Sequence, residues 1–390
     1  MGKKEWRKVC AMKWICMILV ILLFCTIWCL PGDRKVRVFD VNNGRVLEIC
    51  NAGSGLSREI AEAAPDRSEH TFSTLQNELC CGSEQKDRSV IRVYDSNAVL
   101  LCTSTVPFPD SISLCPGGFA VCSGKIIFRT SKFAVEKQCW EGANELCVAS
   151  LCDKTCATDI KRMIIPSEYY SRNWEESFMW SSSTSIVVLV GCEKPRWSEK
   201  VAIVDVESGE FRLLPYDVRT ESSHYQSSFQ GSVSRRYFSI VSARDEVIVF
   251  DGLGNVCVSM GVERLRALGF RERTESFVDM RNDMISICWD EGDVLWIFNA
   301  NGRHVCVDVE TNSIIKNGCV NLDHDEELVG LIQGKCAVIM QRRTPEFARD
   351  IWGNHFYLKD IETGNSIVKM PDNISRYTYL GNGLLLIEDL

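Results

Sequence analysis

Cysteine is the residue type with the most chemistry to offer in this chain of 390 residues: there are 20, and sixteen of them follow Leu30. Cys139, Cys147, Cys152 and Cys156 fall within eighteen residues, a density that suits two disulfides or one metal ion. Zinc sites usually bring paired C-x-x-C knuckles, which this run lacks, so disulfides are the expectation. The adjacent Cys80 and Cys81 can close a vicinal ring or bond elsewhere, and the second is expected. Cys257, Cys288, Cys306 and Cys336 stand in apolar alternating runs, where a thiol packs as a small hydrophobe.

Other reactive side chains are scattered. His70, His224, His304, His324 and His355 form no H-E-x-x-H or H-x-H spacing, and no G-x-S-x-G or phosphate-binding glycine loop occurs. Asp323, Asp325, Glu326 and Glu327 gather carboxylates without the glycine and spacing of an EF-hand, so a solvated acidic loop is expected. No catalytic, cofactor-binding or metal residue is therefore singled out, and no cofactor is expected. Residues 167–185 are rich in aromatics, with Tyr169, Tyr170, Trp174, Phe178 and Trp180. On a rim loop they form the candidate partner-binding surface, because Trp and Tyr anchor interfaces. The alternative is that they pack between structural units.

The elements that would position these residues repeat. An apolar alternating strand ends in Asp, a tight turn follows, and a second strand leaves, at Asp40, Asp95, Asp153, Asp205, Asp251, Asp308 and Asp360. Successive markers lie 46 to 58 residues apart. Period-2 patterning such as Val247, Val249 predicts strands. Asp opens the turn by accepting backbone N–H groups, and Gly44, Gly209, Gly364 or Asn312 takes the left-handed position. Apolar strands precede the markers, as in YFSIVSA, LWIFNA and CAVIM. Three or four antiparallel strands recurring about every 50 residues define an all-β fold, a β-propeller of seven blades. The first marker begins at Val36, leaving no room for earlier strands, so residues 376–389 are expected to pair with the first hairpin and close the ring. Residues 51–89 read as a polar excursion with a short helix at 57–64.

The D-x-x-[TSN]-G step of Asp40 to Gly44, Asp205 to Gly209 and Asp360 to Gly364 resembles the blade hairpins of quinoprotein-like and WD40-like β-propellers. The likeness is one of architecture: Glu48, Leu213 and Val368 stand where the quinoprotein-like repeat has its docking Trp. For Cys80 and Cys81 it implies the vicinal ring that quinoprotein alcohol dehydrogenases carry, beside the expectation of bonds elsewhere.

Residues 14–30, WICMILVILLFCTIWCL, carry no charge and as a helix reach about 25 Å, enough for a short membrane span. Lys3, Lys4, Arg7, Lys8 and Lys13 precede them, so residues 1–13 are expected on the cytoplasmic side and residues 31–390 across the membrane. Bulky Trp28 and Leu30 disfavour cleavage, which makes the segment a signal anchor. The remainder, 45% hydrophobic and 25% charged overall, is the composition of a folded domain, and a net charge of -8 excludes a nucleic-acid partner. The expected function is a membrane-anchored, non-catalytic propeller that binds or scaffolds a protein or glycan. An extracytoplasmic propeller enzyme, a hydrolase or quinoprotein-like oxidoreductase, is the alternative.

Overall fold

The computed structural model describes residues 36–42, 44–49, 61–66, 71–78, 88–95, 100–107, 112–122, 125–134, 139–150, 160–166, 169–171, 178–182, 184–192, 198–220, 229–232, 234–270, 284–341, 355–371, 374–381 and 383–389. They belong to one compact unit, Lys35–Leu390. Sheet A begins with β1 (Val36–Asp40) and β2 (Arg45–Ile49). Sheet B is β3 (Ala61–Asp66), β4 (Thr71–Glu78), β5 (Arg88–Asp95) and β6 (Leu100–Pro107). Sheet C is β7 (Ile112–Cys122), β8 (Lys125–Ala134), β9 (Cys139–Ser150) and β10 (Ile160–Ile164). Sheet D has β11 (Tyr169–Ser171), β12 (Phe178–Trp180), β13 (Ser185–Cys192), β14 (Ser198–Asp205) and β15 (Phe211–Thr220). Sheet E is β16 (Phe229–Gly231), β17 (Tyr237–Val241), β18 (Val247–Asp251) and β19 (Val256–Met260). After the helix α1 (Val262–Ala267) comes sheet F, with β20 (Ser286–Asp290), β21 (Val294–Phe298), β22 (Arg303–Asp308) and β23 (Ser313–Cys319). Sheet G is β24 (Glu326–Ile332), β25 (Cys336–Gln341), β26 (His355–Asp360) and β27 (Ser366–Lys369). Finally β28 (Ile374–Gly381) and β29 (Leu384–Asp389) complete sheet A, where β29 pairs with β1 from Val36↔Glu388 to Asp40↔Leu384.

The fold is thus all-β, a propeller-like repeat of four-stranded antiparallel sheets, with sheet D carrying a fifth short strand. Its strands bury both faces. In β13, Ile186, Val188 and Val190 enter a cluster shared with sheet C, while Val187 and Leu189 enter one shared with sheet E. In β21, Leu295 and Ile297 face sheet E, and Trp296 and Phe298 face sheet G. Two buried faces explain why SIVVLVGC and VLWIF read as continuous apolar runs, and each buried Val, Leu or Ile contributes about 1.5–3 kcal/mol. A further cluster joins sheet G to sheet A, and β3 neighbours β7 of sheet C as well as β1, β28 and β29 of sheet A. Leu265 of α1 is buried in the cluster between sheets E and F.

Two expectations are corrected, and a third falls on residues outside those described. Residues 61–64, within the helix expected at 57–64, instead lie in β3, and with β4 this strand turns part of the supposed 51–89 excursion into half of sheet B. Their small and polar residues carry little strand signal alone; the pairing of β4 with the apolar β5 holds them. Tyr169 and Tyr170 lie in β11, and Phe178 and Trp180 in β12, both paired with β13 rather than carried on a loop. Among the described residues no helix is long and apolar enough to cross a membrane, and residues 1–30 lie outside them.

Candidate functional site

Each marker Asp in the described residues ends the third strand of its sheet, and the turn chemistry is visible in five of them. Asp40 Oδ1 accepts Asn42 N–H at 2.9 Å, and Asp308 Oδ1 accepts Thr311 N–H at 3.1 Å. Asp205 Oδ1 accepts the N–H and hydroxyl of Ser208 at 2.7 and 2.8 Å, and Asp360 Oδ1 accepts those of Thr363 at 2.8 and 3.1 Å. Asp251 holds Leu253 and Asn255 in the same way. Gly44, Gly209, Gly364 and Asn312 all have positive φ, the conformation the turn demands. At Asp205 and Asp360 the turn bonds lower the carboxyl pKa, chiefly through the Ser208 N–H and the Thr363 N–H respectively. Two residues beyond the Asp, the turn meets the preceding sheet. Glu310 pairs with Arg236 at 2.6 Å, Glu362 with Lys316 at 2.9 Å, and the Glu207 carbonyl accepts from Lys161.

The turns between first and second strands hold a second polar network. Asp290, 3% exposed, caps the 3-10 turn Glu291–Asp293 and accepts from Glu291 N at 2.8 Å, Gln333 N at 3.0 Å, Trp296 Nε1 at 3.2 Å and Gly334 N. It thereby ties sheet F to sheet G. Asp293, 2% exposed, accepts from Ser234 Oγ and, at 2.8 Å, from Arg236 Nε, tying sheet F to sheet E. Trp289 Nε1 donates to Ser239 Oγ at 2.9 Å across the same junction. Arg235, Asp293 and Gln333 take positive φ in these turns although none is glycine. For Asp293 the side chain compensates the strain by its bonds to sheet E. The segment SICWDEGDVLW folds as strand, turn and strand, and the six-residue step from Asp290 to Trp296 is the one local sign of this lock in the sequence.

The acidic segment is not simply solvated. Glu326 and Lys359 form a buried ion pair at 2.5 Å, and Asp325 accepts from Gln341 Nε2 at 3.0 Å, which lowers its pKa. Among the described residues no group of three His, Cys, Asp or Glu could hold a metal ion. His304 is buried beside Trp296, its Nδ1 3.1 Å from the Gly302 carbonyl, and burial lowers its pKa. Cys306 and Cys336 are buried, and desolvation raises both thiols, Cys306 to about 12.

Of the candidate partner-binding residues, Tyr169 is half-buried and stacks on Phe211 at 5.4 Å against the core between sheets C and D. Tyr170, Phe178 and Trp180 sit along the same edge of β13, while Trp174 lies outside the described residues. Of the candidate disulfide cysteines, Cys147 is buried in β9 and in no disulfide, which corrects the expectation for it, and Cys139 begins that strand. Cys80, Cys81, Cys152 and Cys156 lie outside the described residues.

No family model matches the chain, and no curated protein matches it. Among solved structures it is similar to Raptor from Chaetomium thermophilum, at 9% identity and a TM-score of 0.40, covering 86% of this chain and 28% of that one. It is also similar to BamB from Moraxella catarrhalis, at 11% identity and a TM-score of 0.39, covering 86% of this chain and 99% of that one. The chain therefore spans little more than a quarter of Raptor.

Proposed function

We propose that the chain is a seven-bladed β-propeller, closed by sheet A, that is tethered to a membrane by residues 14–30 and acts as a non-catalytic binding or scaffold module for a protein or glycan. The observation that carries the architecture is the order of packing: each sheet neighbours the next from A to G, and G packs on A, which both ends of the chain build. The non-catalytic role is supported by how the buried charges are used. Asp290, Asp293 and the Glu326–Lys359 pair all join sheets or strands, and a frame stiffened in this way displays its loops at low ordering cost. Recognition is assigned to the aromatic segment from Tyr169 to Trp180, and Cys139, Cys152 and Cys156 to disulfides of the extracytoplasmic side.

Alkaline carbonate extraction of membranes bearing the full chain tests the tether: the protein should remain in the pellet, whereas a chain lacking residues 1–34 should be soluble. Recovery of the full chain in the supernatant overturns it. For the binding surface, Trp174→Ala and Trp180→Ala should each reduce crosslinking of the ectodomain to its partner or glycan array signal with little change in melting temperature. A drop of several degrees in both variants would make these rings core and remove this surface from the reading.

A further inference from the structure

The C-terminal hairpin is fastened at two points by tyrosines that stand two positions apart on β28. That spacing sends Tyr377 and Tyr379 to one face of the strand, and both join the cluster between sheets A and G. The Tyr377 hydroxyl donates to the Val329 carbonyl at 2.9 Å. In β24, Leu328 pairs with Ile339 and Gly330 with Val338, so Val329 is the extra residue of a bulge and has no partner across the ladder. The bulge releases the acceptor that the tyrosine takes. Gly330 leaves room for it, since a Cβ there would collide with the hydroxyl.

Tyr379, 7% exposed, donates to Glu291 Oε1 at 2.6 Å and accepts from Gly383 N at 3.3 Å. Glu291 belongs to the turn that opens β21 of sheet F, so this bond reaches past sheet G. We propose that Tyr377 and Tyr379 form a two-point latch that seats the hairpin of residues 374–389, and that this hairpin opens as a unit when the latch is released. Sheet A is the one sheet built from both ends of the chain, so its β1–β29 seam is held by no loop. Opening exposes the β1 edge from Val36 to Asp40. The latch rests on bonds among sheets F, G and A and stands whether or not the partner surface is correctly assigned.

Hydrogen exchange followed by mass spectrometry on the full chain tests it. Tyr379→Phe removes one hydroxyl and keeps the ring, and should speed exchange of the β28 and β29 amides by roughly threefold to tenfold, with β18 and β21 unchanged. Glu291→Ala should reproduce that change, whereas Glu291→Gln, which keeps an acceptor oxygen, should not. Ser234→Ala breaks a bond between sheets E and F and should leave the hairpin at its native rate. Should Tyr377→Phe fail to fold, the Tyr379 and Glu291 variants still decide. Unchanged hairpin exchange in Tyr379→Phe, or equal acceleration of all strands, overturns the latch.

Discussion

At the scale of single residues, carboxylates do the joining. Asp293 is nearly inaccessible, and its loss would strip two donors of their acceptor. Asp293→Ala should cost about 1–3 kcal/mol in urea unfolding, whereas Glu310→Ala, at a pair in which both side chains are 55% exposed, should cost far less. Equal losses would mean that burial is not what gives Asp293 its weight. The turn aspartates make a separate prediction. At Asp205 and Asp360 the folded pKa lies below the unfolded value of about 3.9. Each contribution is therefore complete above that unfolded value and is lost as pH falls through the lower folded one. The double variant Asp205→Asn, Asp360→Asn should show a shallower fall in melting temperature below about pH 4 than the native chain. An identical fall in both proteins would assign the acid sensitivity to other groups.

At the scale of elements, the turns separate backbone strain from crowding. Gly209 and Gly254 have φ of 76° and 79°, yet a Cβ on Gly209 meets nothing within 4 Å. One on Gly254 stands 2.5 Å from Ile203 Cδ1 and 2.8 Å from the Arg212 guanidinium. Gly209→Ala should thus cost the left-handed penalty alone, about 1–2 kcal/mol, and Gly254→Ala about 1–3 kcal/mol more. Matched denaturant midpoints for the two variants would contradict the packing of this turn on sheet D. The turns were legible in the sequence because Asp, its hydroxyl or amide partner and the left-handed residue lie within five positions. Strands such as β18, β21 and β25 were legible because their apolar residues announce themselves. The pair β3 and β4 was not, since Ala61, Glu62, Ser73 and Thr74 owe their conformation to β5. Nor was the split edge of β13, where β11 pairs as far as Val190 and β12 takes over at Val188. Asp290 and Asp293 were hidden for a different reason: their partners Gln333 and Arg236 lie 43 and 57 positions away, a distance over which spacing carries no signal.

At the scale of the whole molecule, a surface cysteine tests the proposed membrane topology. Cys319 is exposed at the end of β23 and in no disulfide, its thiol 3.8 Å from the Asn301 carbonyl. Cys306 and Cys336 are buried with raised thiol pKa values, so a maleimide has little access to them in the folded protein. The signal that disappears on Cys319→Ser is then the signal of one surface site, whatever the remaining cysteines contribute. If residues 14–30 hold the chain with its basic end inside, a membrane-impermeant maleimide added to intact cells should label the native chain more than the Cys319→Ser variant. Permeabilisation should leave that difference unchanged. A difference that emerges only after permeabilisation would put the sheets on the cytoplasmic side, where thiols are kept reduced, and the disulfides assigned to Cys139, Cys152 and Cys156 would fall with the topology.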